Sequence, residues 1–114
     1  MLDYGMTKTA QLAVSRGFAE AVAGTDVTVN AVLPGPTRSE IIGDFMAKQA
    51  EAQGVTQDEV ERGFLAAMRP TSLLGRFATT EEVANMIVYA CSEQASATSG
   101  AALRVDGGVI RFVG

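Results

Sequence analysis

The sequence predicts an α/β fold with a parallel sheet, on three observations. The predicted elements run helix, strand, helices, strand. The first strand segment, Val27 to Leu33, is rich in β-branched residues and almost wholly apolar, as a strand buried on both faces must be. Pro34-Gly35-Pro36 stops it abruptly, and ligands of open α/β sheets bind just past the carboxyl ends of strands.

The 114 residues allow one domain, expected to span 1–114. Apolar residues make up 47% and charged residues 19%, a globular balance. The net charge is −4 and the nine basic residues are scattered, so no basic patch suits nucleic acid. No apolar run reaches the length of a membrane span. No charged-then-apolar leader pattern opens the sequence, and the expected compartment is the cytoplasm. Cys91 is the single cysteine, so an intrachain disulfide is excluded. Histidine is absent, which removes Ser-His-Asp hydrolysis and argues against His/Cys zinc sites; no metal is expected.

The first helix is expected from about Tyr4 to Ala23, ending at Gly24. Ala10, Ala13, Val14, Gly17, Phe18 and Ala21 recur at helical period, and Ala13 and Gly17 are small enough for close approach to a sheet. Leu12 and Ala19 lie opposite, either as isolated exposed apolar residues or as a second contact surface. Tyr4 and Lys8 are four apart and therefore neighbours on one helical face. A free phenol, with a pKa of about 10, is a poor acid–base catalyst at neutral pH. A nearby ammonium favours its charged form and makes the pair a candidate general acid. On the two residues alone, solvated helix surface is the alternative reading.

Beyond the strand, Thr37-Arg38-Ser39-Glu40 has capping-box spacing and opens a helix whose apolar face carries Ile41, Ile42, Phe45 and Met46; Gly54 ends it. Thr56-Gln57-Asp58-Glu59 is a second box, before a helix with Val60, Phe64, Leu65 and Met68 inward, closed at Arg69-Pro70. The two helices are either a substrate lid or ordinary helix packing. Thr71 to Ala78 reads as a loop. Thr79 caps the next helix, whose apolar positions are Val83, Ala84, Met86, Ile87, Ala90 and Cys91, the last as a small core residue. Ala101 to Val105 is the final strand, and Asp106-Gly107-Gly108 turns the chain after it.

In this order the motifs closely resemble the C-terminal half of a classical short-chain dehydrogenase/reductase. Tyr4-Gly5-Met6-Thr7-Lys8 matches that family's Tyr-x-x-x-Lys, and Val29 to Gly35 matches its strand and Pro-Gly. Thr37, Gly75-Arg76-Phe77, Glu81 to Ala84, Gly100 and Val105 to Gly108 complete a resemblance that covers essentially the whole chain. The resemblance implies part of a Rossmann-type doubly wound parallel sheet: its last two strands and flanking helices, without the N-terminal strands. Tyr4 would protonate a carbonyl oxygen in reduction, or act as base in oxidation. Lys8 would assist it and hold the nicotinamide ribose. Pro34, Gly35, Pro36 and Thr37 would border the nicotinamide of NAD or NADP. Residues 41–68 would form the variable substrate region, and their Ile, Phe and Met content suits a partly apolar carbonyl compound. Asn30 is expected to brace the sheet.

The family's glycine-rich pyrophosphate turn, its catalytic serine and its upstream asparagine have no counterpart here. The expectation is therefore an NAD(P)-dependent oxidoreductase represented by a partial chain, which alone binds no dinucleotide and is inactive. The rivals are a non-catalytic self-association module and an unrelated small-molecule binding domain. An incomplete sheet leaves apolar surface uncovered, so a homodimer or homotetramer is expected.

Overall fold

The computed structural model describes residues 2–112. It contains helices α1 (Leu2–Ala21), α2 (Glu40–Gln53), α3 (Gln57–Met68) and α4 (Thr80–Ala90), and strands β1 (Ala31–Pro34) and β2 (Ala102–Val105). A single 3₁₀ turn, Glu93–Ala95, precedes β2. β1 and β2 pair into a two-stranded parallel sheet. Among the described residues, no helix is long and apolar enough to cross a membrane. The chain divides into two compact units, residues 1–33 with 85–104, and residues 34–84 with 105–114.

In the first unit, α1 begins and ends two residues earlier than expected, and the left-handed Gly24 (φ 80°) follows it in a turn. None of its residues is buried, and Phe18 in the expected core stripe is 61% exposed. Nothing lies within 4 Å of where a Cβ on Gly17 would stand, so the close sheet approach expected there is not made among the described residues. α1 instead turns Arg16 and Ala19 toward Gly100, where an added Cβ would meet the Arg16 Nη1 at 3.0 Å and the Ala19 Cβ at 3.6 Å. Ala19 therefore belongs to an internal contact. The stripe stays open because two strands offer too little apolar face for the full arc of the helix.

The regular strand is also shorter than the apolar run that predicts it. Val29 and Asn30 precede β1 without ladder pairing of their own; Val29 accepts from the Gly100 N–H at 2.7 Å, and the Ala31 N–H donates to Ala101 at 2.9 Å. The strand residues are half-buried or exposed, not buried on both faces. Asn30 braces this pairing as expected: its amide nitrogen donates to the Thr98 carbonyl at 2.8 Å, and its amide oxygen accepts from the Ala101 N–H at 3.1 Å. Cys91 is exposed, not a core residue; it falls just past the end of α4, which itself carries no buried residue.

The second unit holds the principal apolar cluster. Met46 of α2, Leu65 of α3 and Phe77 are buried together, with Ile42, Val60 and Phe64 packed against them. The rings of Phe64 and Phe77 meet edge to face, centroids 5.5 Å apart. Ile41, Phe45 and Met68, expected inward, are exposed: each lies at the margin of an arc narrower than the stripe of apolar residues. The Thr56 box forms as its spacing predicts, with the Glu59 N–H donating to the Thr56 hydroxyl and the Thr56 N–H to the Glu59 carboxylate. The expected Thr37 box does not. Ser39 occupies the cap position without a side-chain bond, because the Thr37 hydroxyl donates to the Gly35 carbonyl at 2.9 Å and Thr37 pairs with Ala78.

Candidate active site

The two parts of the predicted site fall in different units, Tyr4 and Lys8 in the first, Pro34 to Thr37 in the second. On α1 the four-residue spacing brings Tyr4 and Lys8 together as expected. The Lys8 ammonium stands over the phenol ring, 5.6 Å from its centroid, close enough for a cation–π contact. Its other partner is the Gln11 side chain at 3.4 Å. Tyr4 is 63% exposed.

The Pro34-Gly35-Pro36-Thr37 loop is fixed by backbone pairing on both sides. The Gly35 N–H donates to Val105 at 3.0 Å, the Ala78 N–H to Pro36 at 2.9 Å and the Arg38 N–H to Ala78 at 2.8 Å. Gly35 has a steric reason to be glycine, since a Cβ there would stand 2.7 Å from both the Cα and the carbonyl oxygen of Asp106. Asp106 builds its own turn, its carboxylate accepting from the Gly108 and Ile110 N–H groups. Gly107 completes the support by accepting from the N–H groups of Leu73 and Leu74.

Next to Thr37, the Arg38 guanidinium makes a two-pronged bond to Glu61 of α3, Nε to Oε1 at 2.7 Å and Nη2 to Oε2 at 2.8 Å. Glu61 is 3% exposed. Hydrogen bonding to Glu61, ahead of charge attraction, holds the Arg38 pKa above its ordinary value. Sequence reasoning did not count Arg38, Glu61 or Asp106 among the site residues. A charged residue at the inward position four before Leu65 was the available signal for Glu61.

α2 and α3 flank a groove of about 530 Å³ lined by Phe45, Met46, Val60 and Phe64 among others. Among the described residues, no group of three or more His, Cys, Asp or Glu side chains is arranged to hold a metal ion.

The family model described as enoyl-(acyl carrier protein) reductase matches residues 2–110. The chain is 50% identical over 111 residues to the uncharacterized oxidoreductase YvrD of Bacillus subtilis, covering 97% of this chain and 42% of that protein. It is 42% identical over 113 residues to YvaG of the same organism, covering 99% of this chain and 43% of that one. L-sorbose reductase from Gluconobacter frateurii, solved with NADPH and L-sorbose, superposes with a TM-score of 0.83 at 27% identity, over 96% of this chain and 41% of that one. The chain thus spans about two-fifths of the length of the relatives it matches.

Proposed function

The chain belongs to the short-chain dehydrogenase/reductase family, and on that premise we propose that it is part of an NAD(P)-dependent oxidoreductase interconverting a carbonyl compound and an alcohol. The observation that carries the reading is the Tyr4–Lys8 pair, an exposed phenol with an ammonium 5.6 Å from its ring centroid. Tyr4 Oη donates a proton to the carbonyl oxygen in reduction and accepts one from the alcohol in oxidation. Lys8 sets a positive charge beside the phenol and donates to ribose hydroxyls. Pro34, Gly35, Pro36 and Thr37 present backbone groups and one hydroxyl to the nicotinamide. When bound, the reduced nicotinamide supplies the hydride. The apolar walls of the α2–α3 groove select a partly apolar small molecule. The cytoplasm is the compartment this reading implies.

The test is Tyr4→Phe in the full protein, assayed with NADH and NADPH against a panel of ketones. Loss of a positioned acid lowers kcat by about 10²–10⁴-fold, while cofactor affinity stays within about twofold, because the hydroxyl supplies a proton and little binding area. A Tyr4→Phe protein that keeps most of its kcat assigns the acid role elsewhere. The 114-residue chain by itself is expected to bind neither dinucleotide with useful affinity, and micromolar binding in a calorimetric titration would overturn that.

The second reading, self-association, has its own observation. The exposed Val14 and Phe18 put an uncovered apolar strip along α1. A twofold pairing of that strip in a homodimer, or its doubling in a homotetramer, buries the same patch in each copy. Sedimentation at low micromolar concentration decides it; a cooperatively melting monomer rules it out.

A further inference from the structure

Glu61 is the one charged residue buried in the second unit's interior, among described residues. It stands one helical turn before Leu65 on the inward face of α3, flanked by the half-buried Val60 and Phe64. An apolar residue would pack there without desolvating a charge. Burying the Glu61 carboxylate carries a desolvation cost that the half-exposed Arg38 repays only in part, so stability is a poor account of this pair. What the pair supplies is direction. A guanidinium–carboxylate fork with contacts of 2.7 and 2.8 Å fixes the two groups in plane and register. Asp58, one turn earlier on α3, adds a further contact to Nη2 at 3.3 Å.

The other end of the fork is the residue next to Thr37. Arg38 is tied through its own N–H to Ala78, and Ala78 is tied to Pro36, so residues 36–38 behave as one short braced segment. α2 begins at Glu40, two residues on. A shift of α3 therefore has a stiff path to the Thr37 hydroxyl that does not run through the helix interior.

We propose that the Arg38–Glu61 fork is a positioning latch, coupling the α3 wall of the groove to the Pro34–Thr37 loop. Substrate seated against α3 is then felt at the loop, and the loop geometry sets how well the carbonyl compound is held. The inference rests on the reading that residues 34–37 border the nicotinamide and that the α2–α3 groove takes substrate. Neither Arg38 nor Glu61 touches the reacting atoms in this scheme.

The test uses Arg38→Lys, Glu61→Gln and the double variant Arg38→Met/Glu61→Met in the full protein. Two readouts are taken: hydrogen exchange at the Arg38 and Ala78 amides, and the separate KM and kcat for ketone reduction. Arg38→Lys keeps the charge and loses the fork. It and Glu61→Gln are expected to speed exchange at those two amides by about tenfold, and to raise KM by about tenfold with kcat within about twofold. The double variant is expected to regain the melting temperature but neither the slow exchange nor the low KM. Recovery of KM in the double variant makes the pair merely structural and overturns the proposal. So does unchanged exchange in folded Arg38→Lys protein. Should Glu61→Gln fail to fold, Arg38→Lys carries the test, since Arg38 is the exposed end. If the wild-type protein reduces no ketone, the functional reading fails, and the exchange measurements still decide whether the latch exists.

Discussion

Gly35 and Asp106 touch backbone to backbone, with 2.7 Å left between the place of a Gly35 Cβ and the Asp106 Cα. Neither partner is a movable side-chain end, so a methyl group forces the Pro34–Thr37 loop away from the Asp106 turn. Gly35→Ala is expected to destabilise by about 1–3 kcal/mol, and to weaken dinucleotide binding in the full protein. Urea unfolding checks the first effect and NADPH titration the second. An unchanged midpoint would show that the two backbones separate freely.

Asn30→Ala removes two bonds at once and leaves the Thr98 carbonyl and the Ala101 N–H without their amide partner. The expected loss is about 1–3 kcal/mol. Asn30→Asp keeps the acceptor for Ala101 but turns an anionic oxygen on the Thr98 carbonyl, so at neutral pH it should be no more stable than alanine. Equal stability of all three proteins would remove the bracing role.

At the start of α4, Glu82 is pinned from two sides. Arg76 donates to both of its oxygens, at 2.9 and 2.7 Å, and the Thr79 N–H donates to Oε2 at 2.8 Å. Bonding to Arg76, then to the Thr79 backbone, lowers its pKa from 4.5 to about 2. A depressed folded-state value stabilises the fold above the unfolded pKa, and the gain is lost as pH falls through the folded one. The stability gap between wild type and Glu82→Gln should therefore be constant above about pH 5 and shrink between 4.5 and 2. Thermal melts at stepped pH measure it. A gap that persists at pH 2 would mean that the carboxylate is not the source.

Thr56→Ala breaks the reciprocal cap of α3, in which the hydroxyl accepts from the Glu59 N–H. About 0.5–2 kcal/mol is the usual cost of losing such a cap. Thr56→Ser keeps the oxygen and should restore most of it in chemical denaturation.

What the sequence made legible was what neighbouring residues decide. Tyr4 and Lys8 meet because a helix sets four-residue neighbours side by side. Thr56 and Glu59 close their box by the same local rule, and Gly54 takes the left-handed cap at φ 66°. Thr37 and Glu40 have the same spacing and make no box, because Gly35 and Ala78 claim Thr37 first. The partnerships of Arg38 with Glu61 and of Gly35 with Asp106 join residues far apart in sequence, and no periodicity announces them. Phe18 and Phe45 show the opposite error: helical period marks a residue as able to be buried, and only a facing surface buries it.

The pairing of β1 with β2 carries a cost in time. Ala101 meets the Asn30 side chain across 71 positions of chain, whereas α2 and α3 are joined by a three-residue turn. Closing a long loop spends entropy before any contact repays it, and contacts between distant residues form late. The α2–α3 hairpin should thus gain amide protection ahead of the strands during refolding. Asn30, sealing the last pairing to form, then acts on how long the finished sheet stays closed more than on how fast it assembles.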